Sequence, residues 1–176
     1  MDATVAHALA AARLARRDNP QQAQAQVAAA LIVSRALGTS PELCWSLYAQ
    51  GQLLRDGHQP VDALAVYGEG VTVAQALHNP PLMAHGLRHL GDLYCELHDY
   101  ALAETHLKEA LNAYQKAPNP TPLDLANTHL ALGTVYQLMG SPDNARHHLR
   151  EAQHRYQALQ LSAGVADCLQ RLADLD

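Results

Sequence analysis

Small and apolar residues recur along this chain in a fixed register. One set reads His7/Ala10/Ala11/Leu14, Leu47/Gln50/Gly51/Leu54, Leu87/Leu90/Gly91/Tyr94 and His129/Leu132/Gly133/Tyr136. The offsets 0, 3, 4 and 7 define one face of a helix. A second set reads Ala23/Val27/Ala30, Ala63/Tyr67/Gly70, Ala103/Leu107/Ala110 and Ala145/Leu149/Ala152. The two sets alternate, which predicts a helix A followed by a helix B, four times over. The blocks start near Thr4, Cys44, Ala84 and Ala126, in steps of 40, 40 and 42 residues. The third member of each A stripe is Ala or Gly, so the partner helix can come close and a larger residue would overpack the contact. A period of this length signals stacked repeats, not a globular core around a catalytic cleft.

The punctuation follows the same rhythm. A first A helix over 3–17 ends at Asp18-Asn19-Pro20, and Pro20 suits the first position of the next helix because its missing N–H would go unused there. Gly38 stops that helix, and Ser40-Pro41-Glu42 restarts the chain with a cap, a proline and an early acid. Gly57 and Gly140 are expected to end two further A helices in the same way, with Gln59-Pro60 and Ser141-Pro142 beginning their partners. A last segment, 163–175, aligns with the A helices through Leu169/Leu172/Ala173 and carries Asp167, Gln170, Arg171 and Asp174 on its other side. It is either a solvated cap or part of a longer array.

These residues resemble the tetratricopeptide repeat. The likeness is clearest in Leu90-Gly91-Asp92-Leu93-Tyr94 with Ala103, Leu107 and Ala110, and in Leu132-Gly133-Thr134-Val135-Tyr136 with Ala145, Leu149 and Ala152. The second block keeps Gly51 and Ala63 but has Gln50 at a usually apolar position, and the first is placed by register. The resemblance implies an all-α, right-handed α-α superhelix (a solenoid) spanning 1–176 as one array. Its repeats would be 4–43, 44–83, 84–125 and 126–161, with a capping or partial-repeat helix at 162–176. The period exceeds the roughly 34 residues usual for the family. The extra residues are expected between each B helix and the next A helix, above all at Ala117-Pro118-Asn119-Pro120-Thr121-Pro122, a stiff extended connector. Lengthened repeats of this kind look like those of motor light chains and bacterial signalling regulators.

Composition narrows the functional classes. Apolar residues make up 48% with no Phe and one Trp, so the core must come from Ala, Leu, Val and a few Tyr. Arg, ten against two Lys, hints at a GC-rich genome. The net charge is −5 and no basic run exists, so the footprint expected for nucleic acid is missing. Cys44, Cys95 and Cys168 are few and far apart, which reads as reduced and cytoplasmic. Neither a signal peptide nor a membrane span is expected. Eleven histidines raise the question of a metal, with His85 and His89 four apart and His147, His148 and His154 together. Zinc needs three or four converging ligands, and no HExxH or His–Cys spacing supplies them. Solvated helix histidines are the plainer reading, with His7 and His129 at the edge of the buried stripe. No phosphate loop, nucleophile elbow or Cys–His signature is present, and no cofactor or catalytic activity is expected.

The surface expected to matter lies beside the buried stripe, where the family resemblance implies a concave groove. It reads Val5/Ala8/Ala12/Ala15, then Trp45/Tyr48/Gln52/Arg55, then His85/Arg88/Asp92/Cys95, then Asn127/Leu130/Thr134/Gln137. Trp45, Tyr48, Gln52, Arg55, His85, Arg88, Asp92, Asn127, Thr134 and Gln137 are the candidate partner-binding residues. Trp, Tyr and Arg are enriched at binding hot spots, and guanidinium groups take carboxylates in bidentate fashion. Alternatively, Trp45 simply packs beside the first repeat. The stripe has no Lys, so the carboxylate clamp of chaperone-binding relatives is not expected. The function implied is a protein or peptide scaffold. Alternatives are a regulatory or sensor segment of a larger bacterial protein, and self-association through the Ala-rich strip of the first helix or an imperfect terminal cap.

Overall fold

A computed structural model describes residues 1–175. Among them are nine α-helices and no strand. They are α1 (Ala3–Ala15), α2 (Pro20–Ala36), α3 (Pro41–Asp56), α4 (Pro60–Ala76), α5 (Pro80–Glu96), α6 (Tyr100–Lys116), α7 (Pro122–Leu138), α8 (Pro142–Ala158) and α9 (Ser162–Ala173). The expected all-α class is therefore present. Helix starts are set by local chemistry. Proline opens α2, α3, α4, α5, α7 and α8, where its absent N–H costs nothing. Side-chain oxygens of Asp2, Asn19, Ser40 and Asp99 accept N–H groups of the first turns of α1, α2, α3 and α6.

The lengthening of the repeat lies elsewhere than expected. The connectors 37–40, 77–79, 117–121 and 159–161 between B and A helices are all short. The extra residues sit inside the helices, which run to 16 or 17 residues from α2 to α8. That is nearly five turns each. The proline-rich connector shows the extended backbone anticipated at Ala117, with φ −67° and ψ 141°, and at Thr121, with φ −69° and ψ 115°.

Helix ends also differ in detail. Gly38 and Gly140 adopt the left-handed conformation, with φ of 73° and 69°. Gly57 does not, at φ −83°. The left-handed residue there is His58, and His78, His98 and Gln160 do the same elsewhere. A side chain in this region costs about 1–2 kcal/mol relative to right-handed backbone, and glycine avoids the clash at some entropic cost. His98 is partly compensated, because its Nδ1 lies 3.0 Å from the Tyr100 hydroxyl. We expect His58→Gly to stabilise the protein by about 0.5–1 kcal/mol, read as a higher unfolding midpoint. A lower midpoint would show that the imidazole does more than terminate α3.

The chain divides into two compact units, Met1–Gly86 and Leu87 onward, with the division inside α5. In the first, α1 packs on α2 and α3, and α3 packs on α4. Val5, Ala8 and Ala30 form one cluster; Ala12, Ala23 and Val27 form another. This reverses the reading of the first helix. Val5, Ala8 and Ala12, taken as groove surface, are buried, while His7, Ala10 and Leu14 face outward, Leu14 at 79% exposure. One helical face is covered by α2 and α3, and it is the other one. The Ala-rich strip is therefore not open to a second copy, and that support for self-association is gone.

Close approach of the paired helices is set by glycine. A Cβ on Gly51 would stand 2.7 Å from the Tyr67 ring, and one on Gly86 would stand 2.6 Å from Val71. In the second unit, a Cβ on Gly91 would stand 2.5 Å from Leu107 and one on Gly133 2.8 Å from Leu149. Here Ala103, Leu107, Leu132, Val135, Tyr136 and Ala145 form the main cluster, and Ala126, Ala152, Tyr156 and Cys168 a second. The last helix departs from its expected alignment. Cys168 is its buried residue, Gly164 lies under the Tyr156 ring, and Leu169 and Ala173 are exposed. The cause is that α9 packs on α8, which selects the face one residue away.

Candidate protein-binding surface

In the first unit the helical period of α3 brings Trp45, Tyr48, Gln52 and Arg55 onto one side. Three rings meet there. Trp45 and His85 lie 5.0 Å apart at 66°, and Tyr48 lies 5.3 Å from His85 and 6.1 Å from Trp45. They are not equally open. Trp45 and His85 are half-buried, whereas Tyr48 is 3% exposed and stacks on Tyr67 at 5.9 Å. Its hydroxyl donates to the Leu82 carbonyl at 2.9 Å. Tyr48 is thus a packing residue that ties α3 to α5 and supports the Trp45–His85 pair, not an open part of the surface. Gln52 donates to Asp56 at 2.9 Å, and Arg55 is half-buried beside it.

In the second unit Arg88 and Asp92 pair across one helical turn, Nη1 to Oδ2 at 2.9 Å. Arg88 Nη2 also stands 2.8 Å from His89 Nε2. The Arg88 side chain is only 12% exposed, and its Nε is buried without a hydrogen-bond partner. The guanidinium is thus engaged by Asp92 and His89, with the Tyr114 phenol behind it, and only its edge is open. Asn127 Oδ1 accepts from the Tyr156 hydroxyl at 2.6 Å, leaving its amide N–H₂ available in the half-buried stripe. Thr134 donates back to the Leu130 carbonyl at 3.0 Å, so its hydroxyl can offer only lone pairs outward. Gln137 is half-buried on the next turn.

Two tyrosines behind this surface were missed by the sequence reading. Tyr114 and Tyr156 sit at the ends of α6 and α8, both buried. Burial pushes the Tyr114 phenol well up, and Arg88 nearby opposes the rise. Its hydroxyl makes no hydrogen bond of good geometry. Burial raises Tyr156 to about 12, so both phenols stay neutral donors. A signal existed: the B stripe continues one turn further, as Ser34, Ala74, Tyr114 and Tyr156, all buried.

The cysteines behave as small apolar residues. Cys44 and Cys168 are buried thiols pushed up to about 11 by desolvation, and none of the three cysteines forms a disulfide. Among the described residues no three His, Cys, Asp or Glu side chains converge as metal ligands would. Two histidines do meet. Nδ1 of His129 on α7 and Nδ1 of His148 on α8 are 3.0 Å apart, a hydrogen bond in which one neutral imidazole donates to the other. His129 is a core residue at 5% exposure, as its stripe implied, whereas His7 is exposed. No described helix is long and apolar enough to cross a membrane.

Consecutive antiparallel helical hairpins, each interlocked through a small residue, define an all-α repeat protein. Residues 82–158 match the family model of the tetratricopeptide repeat. That segment belongs to the family, and solved structures extend its fold along the chain. The crystal structure of BtubC (BKLC) from P. vanneervenii aligns with a TM-score of 0.76 at 22% identity, covering 89% of this chain and 65% of that one. The present chain thus spans just under two thirds of that protein's length. A provisional kinesin light chain from P. anserina with nearly identical TPR-like repeats aligns with a TM-score of 0.68 at 16% identity, over 99% of this chain and 97% of the other. The MamA protein aligns with a TM-score of 0.59 at 16% identity, over 99% and 93%. No protein of curated function matches the sequence significantly. The tetratricopeptide fold is typical of protein–protein interaction scaffolds, and the family is generally non-catalytic.

Proposed function

We propose that this chain is a non-catalytic scaffold that binds an extended peptide or a helix of another protein on the exposed sides of its A helices. The observation that carries the reading is Arg88, held in place by Asp92 and His89 with the edge of its guanidinium still open, 12% of the side chain exposed. It would take a carboxylate or carbonyl oxygen of the partner. In the other unit the half-open Trp45–His85 pair would take an apolar or cationic side chain. Gln52, Arg55, Asn127, Thr134 and Gln137 would supply hydrogen bonds around these anchors. Cysteines that form no disulfide fit a cytoplasmic setting.

The test is affinity capture from the source cell, followed by direct binding of each identified partner to the purified chain. Trp45→Ala combined with Arg88→Gln is expected to weaken that binding at least tenfold, with the helical circular dichroism signal intact. If the double variant binds as the parent does, these side chains are not the contact surface.

A further inference from the structure

In the second unit α9 repeats α7 with a shift of 40 residues, so Leu169, Leu172 and Ala173 stand where His129, Leu132 and Gly133 stand on α7. On α7 those three positions are buried, and α8 covers them. His148 meets His129, Ala145 joins the cluster around Leu132, and Leu149 fills the space over Gly133. Leu107 over Gly91 and Tyr67 over Gly51 repeat the arrangement on α5 and α3. On α9 the same face is open. Leu169 is 52% exposed, Ala173 is exposed, Leu172 is half-buried, and no described helix buries them. The other side of α9 is fixed to α8. Cys168 is buried, Gly164 lies under the Tyr156 ring, and Arg146 donates to the Leu175 carbonyl at 2.6 Å. The open face is therefore one preformed half of the hairpin interface that the chain builds repeatedly.

The chain itself shows the shape that fits such a face. Each covering helix presents one larger residue between two small ones, as Ala103/Leu107/Ala110 and Ala145/Leu149/Ala152 do. The polar residues flanking the open face are satisfied within α9, Gln170 by Asp174 and Arg171 by Asp167, both at 2.9 Å. Apolar fit, not charge, thus decides what docks. A second copy has no free stripe of this kind to offer. Ala23, Val27 and Ala30, Ala63 and Tyr67, and both Ala/Leu/Ala sets are at most 2% exposed in their own hairpins. We propose that α9 docks an amphipathic helix of another protein, one that presents a leucine between two small residues at spacings of four and three. The leucine of that helix packs over Ala173, and its small residues admit Leu169 and Leu172. This site involves neither Trp45 nor Arg88 and does not rest on the partner-binding surface proposed above.

The probe is a labelled peptide of this chain's own residues 100–116, titrated into the full chain and followed by fluorescence anisotropy. A lactam between Glu104 and Lys108, which already pair at 2.6 Å, locks it as a helix and leaves the Ala103/Leu107/Ala110 face free. Saturable one-to-one binding is expected. Leu107→Asp in the peptide, or Leu169→Asp in the chain, should weaken it at least tenfold. Leu14→Asp, at a leucine 79% exposed in the first unit, should leave it unchanged, as should Trp45→Ala with Arg88→Gln. Circular dichroism checks that each chain variant keeps its helices. No saturation at high-micromolar peptide overturns the proposal, and so does binding that survives Leu169→Asp or Leu107→Asp. Sedimentation of the chain alone gives the remaining outcome. A dimer that Leu169→Asp dissolves would assign the face to a second copy and overturn the proposal as well.

Discussion

Replacing Gly91 or Gly133 by leucine should destabilise the protein by about 3 kcal/mol or more, at the upper end of overpacking penalties. For a chain of this length that corresponds to a fall of roughly 6–12 °C in the unfolding midpoint. The reason is geometric. A single Cβ on Gly91 would already lie 2.5 Å from Leu107 Cγ and 3.2 Å from the Ala103 carbonyl oxygen. One on Gly133 would lie 2.8 Å from two atoms of Leu149 and 3.3 Å from its backbone nitrogen. Leu107 and Leu149 are completely buried, so neither can swing into solvent. The paired helix has to move, and every contact along it moves with it. Gly68, also helical, provides the contrast. Nothing lies within 4 Å of the Cβ it would gain. Gly68→Ala should therefore stabilise by about 0.5–1 kcal/mol through backbone entropy alone. Thermal unfolding of the three variants reads both signs together. An unchanged midpoint for Gly91→Leu would mean that α5 and α6 are not apposed as described.

Acid should weaken the second unit well before its carboxylates protonate. His129 is lowered to about 4 by burial, then by the charges of His148 and Arg155, against a favourable Glu151 and an unfavourable His147. His148 is lowered to about 4 by burial, then by His147 and Lys108, with Glu151 opposing. An unfolded histidine takes up its proton near 6.5. Between 6.5 and about 4 the unfolded chain therefore binds protons that the folded chain refuses. The stabilisation is complete above 6.5 and is lost as pH falls toward 4, on the order of 2 kcal/mol per imidazole at pH 5. The pair shares one hydrogen bond, so the two losses are not independent. Glu42 and Glu104 are held below the usual carboxylate range, by backbone hydrogen bonds at Glu42 and by Lys108 and Tyr136 at Glu104. Their contributions disappear only as pH falls below the ordinary carboxylate value, so the two windows separate. Urea unfolding at pH 7 and pH 5 should show the loss, and His129→Leu with His148→Leu should flatten that interval. A parent protein equally stable at both values would contradict the buried neutral pair.

Much of the architecture could be read from residue order. The offsets of Leu47/Gly51, Leu87/Gly91 and His129/Gly133 gave helices, their pairing and the tetratricopeptide resemblance, because helical geometry converts spacing into faces without reference to anything distant. The starts of several helices were equally legible, since Pro20, Pro41, Pro60 and Pro142 act on their own turn. Helix termination was less so. His58, His78 and His98 take the left-handed residue that glycine takes at Gly38 and Gly140. Histidine is enriched at left-handed backbone, but far less than glycine, so its place at these helix ends is weakly marked in the chain order.

Spacing alone names the faces of a helix but not which of them is covered. In α1 the same period served two stripes, and contact with α2 and α3 buried Val5, Ala8 and Ala12 in place of His7, Ala10 and Leu14. Of the candidate surface, the chain order chose Trp45 and Arg88 by residue type, yet the withdrawal of Tyr48 against Leu82 depends on a carbonyl thirty-four positions away. The meeting of His129 with His148, and of Tyr156 with Asn127, likewise joins separate helices. A linear sequence carries period, charge and turn chemistry, all short-range quantities. Burial, orphaned donors and displaced proton equilibria arise from the solvent that neighbouring helices exclude, and they exist only once the hairpins have packed.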